Sequence, residues 1–138
     1  MDYSNLNEKA LEMLKFSYSP YSHFCVGAAL LTEDGKIFTG CNIENSAYGP
    51  SVCAERTAIF KAVSEGFYKF KAISIVGGAE DENGNAVPKD FCPPCGVCRQ
   101  VLLEFCDDDF KIILAKTKNE YKIFTLAELL PESFNLKK

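Results

Sequence analysis

A chain of 138 residues, 47% hydrophobic and 25% charged, has the size and balance of a single domain over 1–138 with a real core. Its net charge of −4, its scattered Lys and Arg and an acidic run at Asp107-Asp108-Asp109 do not suit a nucleic-acid partner, and they favour a small molecule. No stretch approaches the roughly 20 apolar residues that span a bilayer, and Met1-Asp2-Tyr3-Ser4-Asn5 lacks a basic-then-apolar secretion pattern, so no membrane partner and a cytoplasmic location are expected.

The spacing of Leu6, Ala10, Leu11 and Leu14 predicts a helix over 5–17 that stops before Ser19-Pro20. Residues 24–32 and 36–42 read as strands joined by a turn at Glu33-Asp34-Gly35. A polar loop over 43–50 leads to a helix over 52–65, with Ser51 as its expected N-cap and Gly66 as its stop. The apolar run 71–77 predicts a strand buried on both faces. Residues 78–93 read as one long polar loop, of a length that is usually functional or an insertion. A helix follows over 94–105 with Pro94 at its first position. Strands over 110–116 and 120–124 come next, and Thr125 with Glu128 forms a capping box for a short last helix. Strand–helix–strand units imply parallel neighbours and the tight turns imply antiparallel ones. The expected architecture is α/β, a three-layer α/β/α arrangement around a mixed five-stranded sheet. Sites in such sheets form beyond the strand ends where helices begin.

Seven cysteines, an odd number with one CxxC among them, point to metal or redox use in a reducing compartment. Cys25, Cys41 and Cys106 lie in apolar surroundings and read as small buried hydrophobes. The informative ones are in Cys53-Ala54-Glu55-Arg56 and Pro94-Cys95-Gly96-Val97-Cys98-Arg99, each at a helix start. Cys95 and Cys98, three apart, share one face of a first turn. The partial positive charge of helix N-termini favours the thiolates a metal needs. A zinc ion with three protein ligands keeps a position for water, as a catalytic site does. Glu55 is then placed to move protons. Three thiolates leave a formal charge of −1 on a zinc site, and Arg56 is placed to offset it by a hydrogen bond to sulfur. Cys92, three residues before Cys95, is a competing ligand, although Pro93 and Pro94 set it outside the helical face. His23, the only histidine, reads as a strand-edge residue.

These segments resemble the zinc nucleobase deaminases, in which three Cys or His and two Cys hold the metal beside a non-ligand Glu with a PCxxC motif. Within that group the chain is similar to the small cytidine deaminases that act on free nucleosides. The likeness runs from about Ser19 to Phe134. It rests also on Phe24-Cys25-Val26-Gly27-Ala28-Ala29-Leu30, on Asn42-Ile43-Glu44-Asn45, on Gln100 after the CxxC motif, and on Leu129-Leu130-Pro131 followed by Phe134. The resemblance implies one Zn2+ per subunit on Cys53, Cys95 and Cys98, with Glu55 catalytic. It implies that Asn42 and Glu44 bind ribose hydroxyls, that Phe24 lines the base pocket, and that backbone groups near Ala54 hold the pyrimidine edge. It implies a homotetramer with shared sites, Phe134 stacking on the base from a neighbouring subunit and Ala47 and Tyr48 at the same boundary. The reaction expected is hydrolytic deamination of cytidine and 2′-deoxycytidine in pyrimidine salvage. The rival readings are deamination of another cytosine nucleoside, such as a nucleoside antibiotic, and a zinc-binding module without catalysis. The loop 78–93 is longer than the family pattern leads one to expect.

Overall fold

The strands assemble in the order β2-β1-β3-β5-β6, in a computed structural model that describes residues 2–136. Strand β1 (Phe24–Thr32) lies antiparallel to both β2 (Ile37–Cys41) and β3 (Phe70–Glu80). Strand β3 runs parallel to β5 (Lys111–Ala115), which pairs antiparallel with β6 (Tyr121–Thr125). The mixed sheet is as expected, with one addition. A two-residue strand β4 (Ala86–Val87) pairs with the end of β3, so the sheet has six strands. The stretch 78–93 is thus not all loop. Gly78, Ala79 and Glu80 continue β3 because Phe24 and Cys25 of β1 offer them a ladder, and the chain turns at Gly84 to return along it.

Alternation along the three central strands separates two cores. Leu30, Ile73, Ile75, Ile112 and Leu114 face one way, toward Ala58, Ile59 and Ala62 of α2 (Ala54–Ser64) and Leu102 and Leu103 of α3 (Gly96–Phe105). Ala29, Ala72, Val76, Ile113 and Ala115 face the other way, toward Leu6 and Ala10 of α1 (Ser4–Glu12). These parities make the middle strands buried on both faces, as the apolar run 71–77 predicts. The α1 helix is shorter than the expected 5–17, its tail tightening into a 3-10 turn over Met13–Phe16. Across the sheet, Asn7 is buried and accepts from Ser74 Oγ at 2.7 Å, satisfying a polar pair inside the smaller core. Thr125 and Glu128 form the expected capping box of α4 (Leu126–Leu129).

The sheet also fixes where the two motif helices begin. The connection from β2 through α2 reaches β3 across β1, and the one from β3 through α3 reaches its parallel neighbour β5. Both helices pack on the same core and start at the same end of the sheet. Gly40 in β2 brings α2 close. A Cβ there would lie 2.5 Å from Ala54 O and 2.6 Å from Ala58 N, so only glycine admits the first turn of α2 at this depth.

Candidate metal centre and active site

Neither motif helix starts quite where the sequence suggests. Ser51 is not the N-cap of α2, since its Oγ accepts from Asn45 N at 3.0 Å and Val52 is held in a bridge to Ile43. The N-cap is Cys53 itself. Likewise Pro94 precedes α3 instead of opening it, and Cys95 is the N-cap, its sulfur accepting from Cys98 N at 3.5 Å. Each cap carbonyl accepts the first helical bond, from Thr57 N at 3.1 Å and from Arg99 N at 3.0 Å. Two ligand sulfurs therefore project from cap residues, where the orphaned N–H groups of a helix favour negative charge.

The three sulfurs converge. Cys53 Sγ lies 3.7 Å from Cys95 Sγ, Cys95 Sγ lies 3.4 Å from Cys98 Sγ, and the whole set falls within 4.8 Å. Tetrahedral zinc with thiolate bonds of roughly 2.3 Å would separate its sulfurs by about 3.8 Å, so the spacing fits that ion. Cys92 does not join them. It rests against β3, where a Cβ on Gly77 would meet its Sγ at 2.7 Å, and burial pushes its thiol up to about 11. The competition with Cys95 is thereby decided in favour of Cys53, Cys95 and Cys98. His23 also stays away, its Nδ1 3.0 Å from Glu80 Oε1.

Charge at the cluster is organised around Cys53. Arg56 Nη2 donates to its sulfur at 3.3 Å, the bond the charge count calls for. Without an ion, a hydrogen bond from Cys98 and then Arg56 draw the Cys53 thiol down to about 5, while Cys98, donor in that bond and buried, is pushed up. Glu55 is only 4% exposed, and burial followed by the nearby Cys53 charge pushes its carboxyl up to about 7. Glu55 Oε1 and Arg56 Nε, both in the first turn of α2, are the buried side-chain polar atoms without a hydrogen-bond partner among the described residues. A buried, partnerless carboxyl oxygen is costly, and its position facing a cleft beside three sulfurs marks a group kept for a ligand.

That cleft has a volume of about 410 Å³, and its walls include Asn42, Glu44, Tyr48, Cys53, Glu55 and Arg56. Asn42 is buried and already engaged. Its Oδ1 accepts from Val26 N at 2.9 Å and from Ser17 Oγ, and one Nδ2 hydrogen goes to Phe24 O at 2.9 Å, leaving one N–H. Glu44 accepts from Tyr21 N at 3.0 Å and from Ser22 N and Oγ, bonds that hold its carboxyl below the usual range. Phe24 faces an adjoining cleft, of about 380 Å³, which shares Cys92 and Pro93 with the first. Ala54, the first residue of α2, is fully buried, and Ala47 is exposed in the loop before it. Tyr48 is 92% exposed and Phe134 is 69% exposed, the latter outside both clefts. Two residues that sequence reading left without partners prove to have them. Arg99 donates to Pro94 O and Leu129 O, and Gln100 donates to Phe134 O. Both stand directly after the CxxC, which is the signal that would have singled them out.

Residues 1–114 match the family model for the cytidine and deoxycytidylate deaminase zinc-binding region. The chain belongs to that family. Among curated relatives, the cytidine deaminase of Sporosarcina psychrophila is 46% identical over 135 residues, covering 98% of this chain and 93% of that protein. The cytidine deaminase of Halalkalibacterium halodurans is 45% identical over 134 residues, with 97% and 95% covered. The crystal structure of the cytidine deaminase from Burkholderia pseudomallei superposes with a TM-score of 0.85 at 39% identity, covering 97% of this chain and 100% of that one. The family's zinc and the three-sulfur cluster agree on one zinc per subunit.

Proposed function

We propose that this protein hydrolyses cytidine, and 2′-deoxycytidine, to the corresponding uridine with release of ammonia. The observation that carries the reading is Glu55 Oε1, buried and partnerless in the wall of a cleft that also holds the sulfur cluster. The near full-length likeness to proteins named cytidine deaminase selects the substrate. Zinc on Cys53, Cys95 and Cys98 supplies a Lewis acid that lowers the pKa of water and so provides a nucleophile at neutral pH. Glu55 does the proton work. It accepts the first proton of the water that adds to C4 of the ring and delivers it to N3, then takes the second proton from the C4 hydroxyl and gives it to the departing amine as the C4–N bond breaks and C4=O forms. Burial raises its carboxyl above the usual range, which suits a group that must both take and give a proton. Cytidine and water are balanced by uridine and ammonia.

Around the reacting ring, the remaining Nδ2 hydrogen of Asn42 and the carboxylate of Glu44 take the ribose hydroxyls, with Ser22 sharing Glu44. Backbone groups at Ala54 hold the pyrimidine edge, and Phe24 bounds the base from the adjoining cleft. Phe134 of a neighbouring copy stacks on the base, with Ala47 and Tyr48 at the same boundary, in a homotetramer. The exposure of Tyr48 and Phe134 supports that assignment, since large aromatics so open to water lie ready for a partner surface. The acidic balance and the small cleft favour a free nucleoside, and a cytoplasmic salvage role suits that substrate. The absorbance change on mixing with cytidine, and ammonia release, test the reading, with cytosine, CMP and a chelator as comparisons. Turnover of cytidine that a chelator abolishes is expected. Preference for cytosine or CMP would overturn the substrate.

A further inference from the structure

We infer that Arg99 is a positioning residue that locks the metal-ligand turn at Cys95 to the C-terminal segment beyond α4. Its half-buried guanidinium spans two carbonyls, with Nε donating to Pro94 O at 2.7 Å and Nη1 to Leu129 O at 2.6 Å. Pro94 is fully buried and its carbonyl immediately precedes Cys95, so fixing that peptide fixes where the Cys95 sulfur projects. Leu129 closes a four-residue helix whose last carbonyls lack partners within the helix. One planar cation therefore satisfies an orphaned helix end and holds the ligand turn at the same time, a geometry that the fixed fork of arginine provides and a lysine point charge does not. The next residue extends the fastening, since Gln100 Nε2 donates to Phe134 O at 2.9 Å. Adjacent side chains of α3 thus hold the C-terminal segment at two points, but only the Arg99 bond pair also reaches the turn that carries Cys95. The role is distinct from that of Arg56, which donates to a ligand sulfur itself.

The inference rests on Cys95 being a metal ligand, and Co2+ substitution separates the two. In the wild-type protein, Co2+ should give thiolate-to-metal charge-transfer bands for three sulfurs. Their absence would overturn the metal assignment and this inference with it. Given those bands, Arg99→Gln should perturb them and release metal to a competing chelator about tenfold faster or more, the scale on which outer groups around a metal act. Arg99→Lys, whose ammonium can reach one of the two carbonyls, should recover part of the loss. Gln100→Ala, which frees only Phe134 O, should release metal at the wild-type rate. Wild-type spectra and release in Arg99→Gln would overturn the inference, as would equally fast release from Gln100→Ala, since that would reflect general loosening of α3.

Discussion

Cys53 enters the site on a helix start pressed into the sheet, whereas Cys95 and Cys98 enter on one that lies at the end of a long excursion from β3. The first is held by packing. Gly40 lets α2 sink until Ala54 and Glu55 are buried, and the price is a carboxyl without solvent. The second is held by polar bonds. Gly96 and Val97 are exposed, and the turn depends on Arg99 and on the Cys95 sulfur cap. The difference teaches that burial was used where a proton carrier had to be tuned, while hydrogen bonds sufficed where only ligands had to be aimed.

The largest effect should come from relieving the buried charge in α2. Glu55 titrates near 7 in the fold against an ordinary value of 4.5, so the fold holds its proton more tightly than the unfolded chain. Stability then falls as pH rises from about 4.5 through 7, and the loss is complete above 7. Glu55→Gln in the metal-free protein should remove it, raising stability at pH 8 by up to about 3 kcal/mol and changing it little at pH 4. Denaturant titrations at the two pH values check this, and equal gains at both would refute the burial argument.

Gly40→Ala tests the packing itself. A methyl group against backbone at 2.5 Å has no flexible neighbour to move, so α2 must lift, with an expected loss of about 1–3 kcal/mol. Zinc content should fall with it, and a stable variant with full zinc would show that α2 is not held by this contact. A smaller change is expected from Arg56→Gln. It should weaken metal binding about tenfold with little effect on folding, measured by chelator competition, because Arg56 acts on the Cys53 sulfur and not on the position of the helix. Least of all should come from Cys92→Ala, which removes a thiol outside the cluster. One zinc per chain should remain, with stability within about 1 kcal/mol. A halved zinc content would restore Cys92 as a ligand.

Much of this contrast is legible in the sequence. The CxxC, the distant Cys53 and Glu55 name the site because helix starts and ligand spacing are local properties. The sheet order follows from the turns and crossovers, and the two-faced burial of β3 from its apolar run. What escapes is tertiary. Gly40 reads as one glycine in a strand until α2 is seen resting on it. Gly78 reads as the start of a loop because glycine carries no strand preference, yet the ladder offered by β1 extends β3 through it. Ser51 resembles a cap better than Cys53 does, and it is excluded by its bond from Asn45 N and by the bridge between Val52 and Ile43. The partners of Arg99 lie at Pro94 and thirty residues further on at Leu129, and no local pattern links the two.

The central claim is that the metal cluster and Glu55 form one catalytic unit in which the carboxyl carries the protons. Turnover of cytidine by Glu55→Gln, compared with wild type at equal measured zinc content, tests it most directly. One zinc per chain in both proteins and a loss of activity of about 10²–10⁴-fold in the variant are expected. A zinc-loaded variant that releases ammonia at the wild-type rate would contradict it.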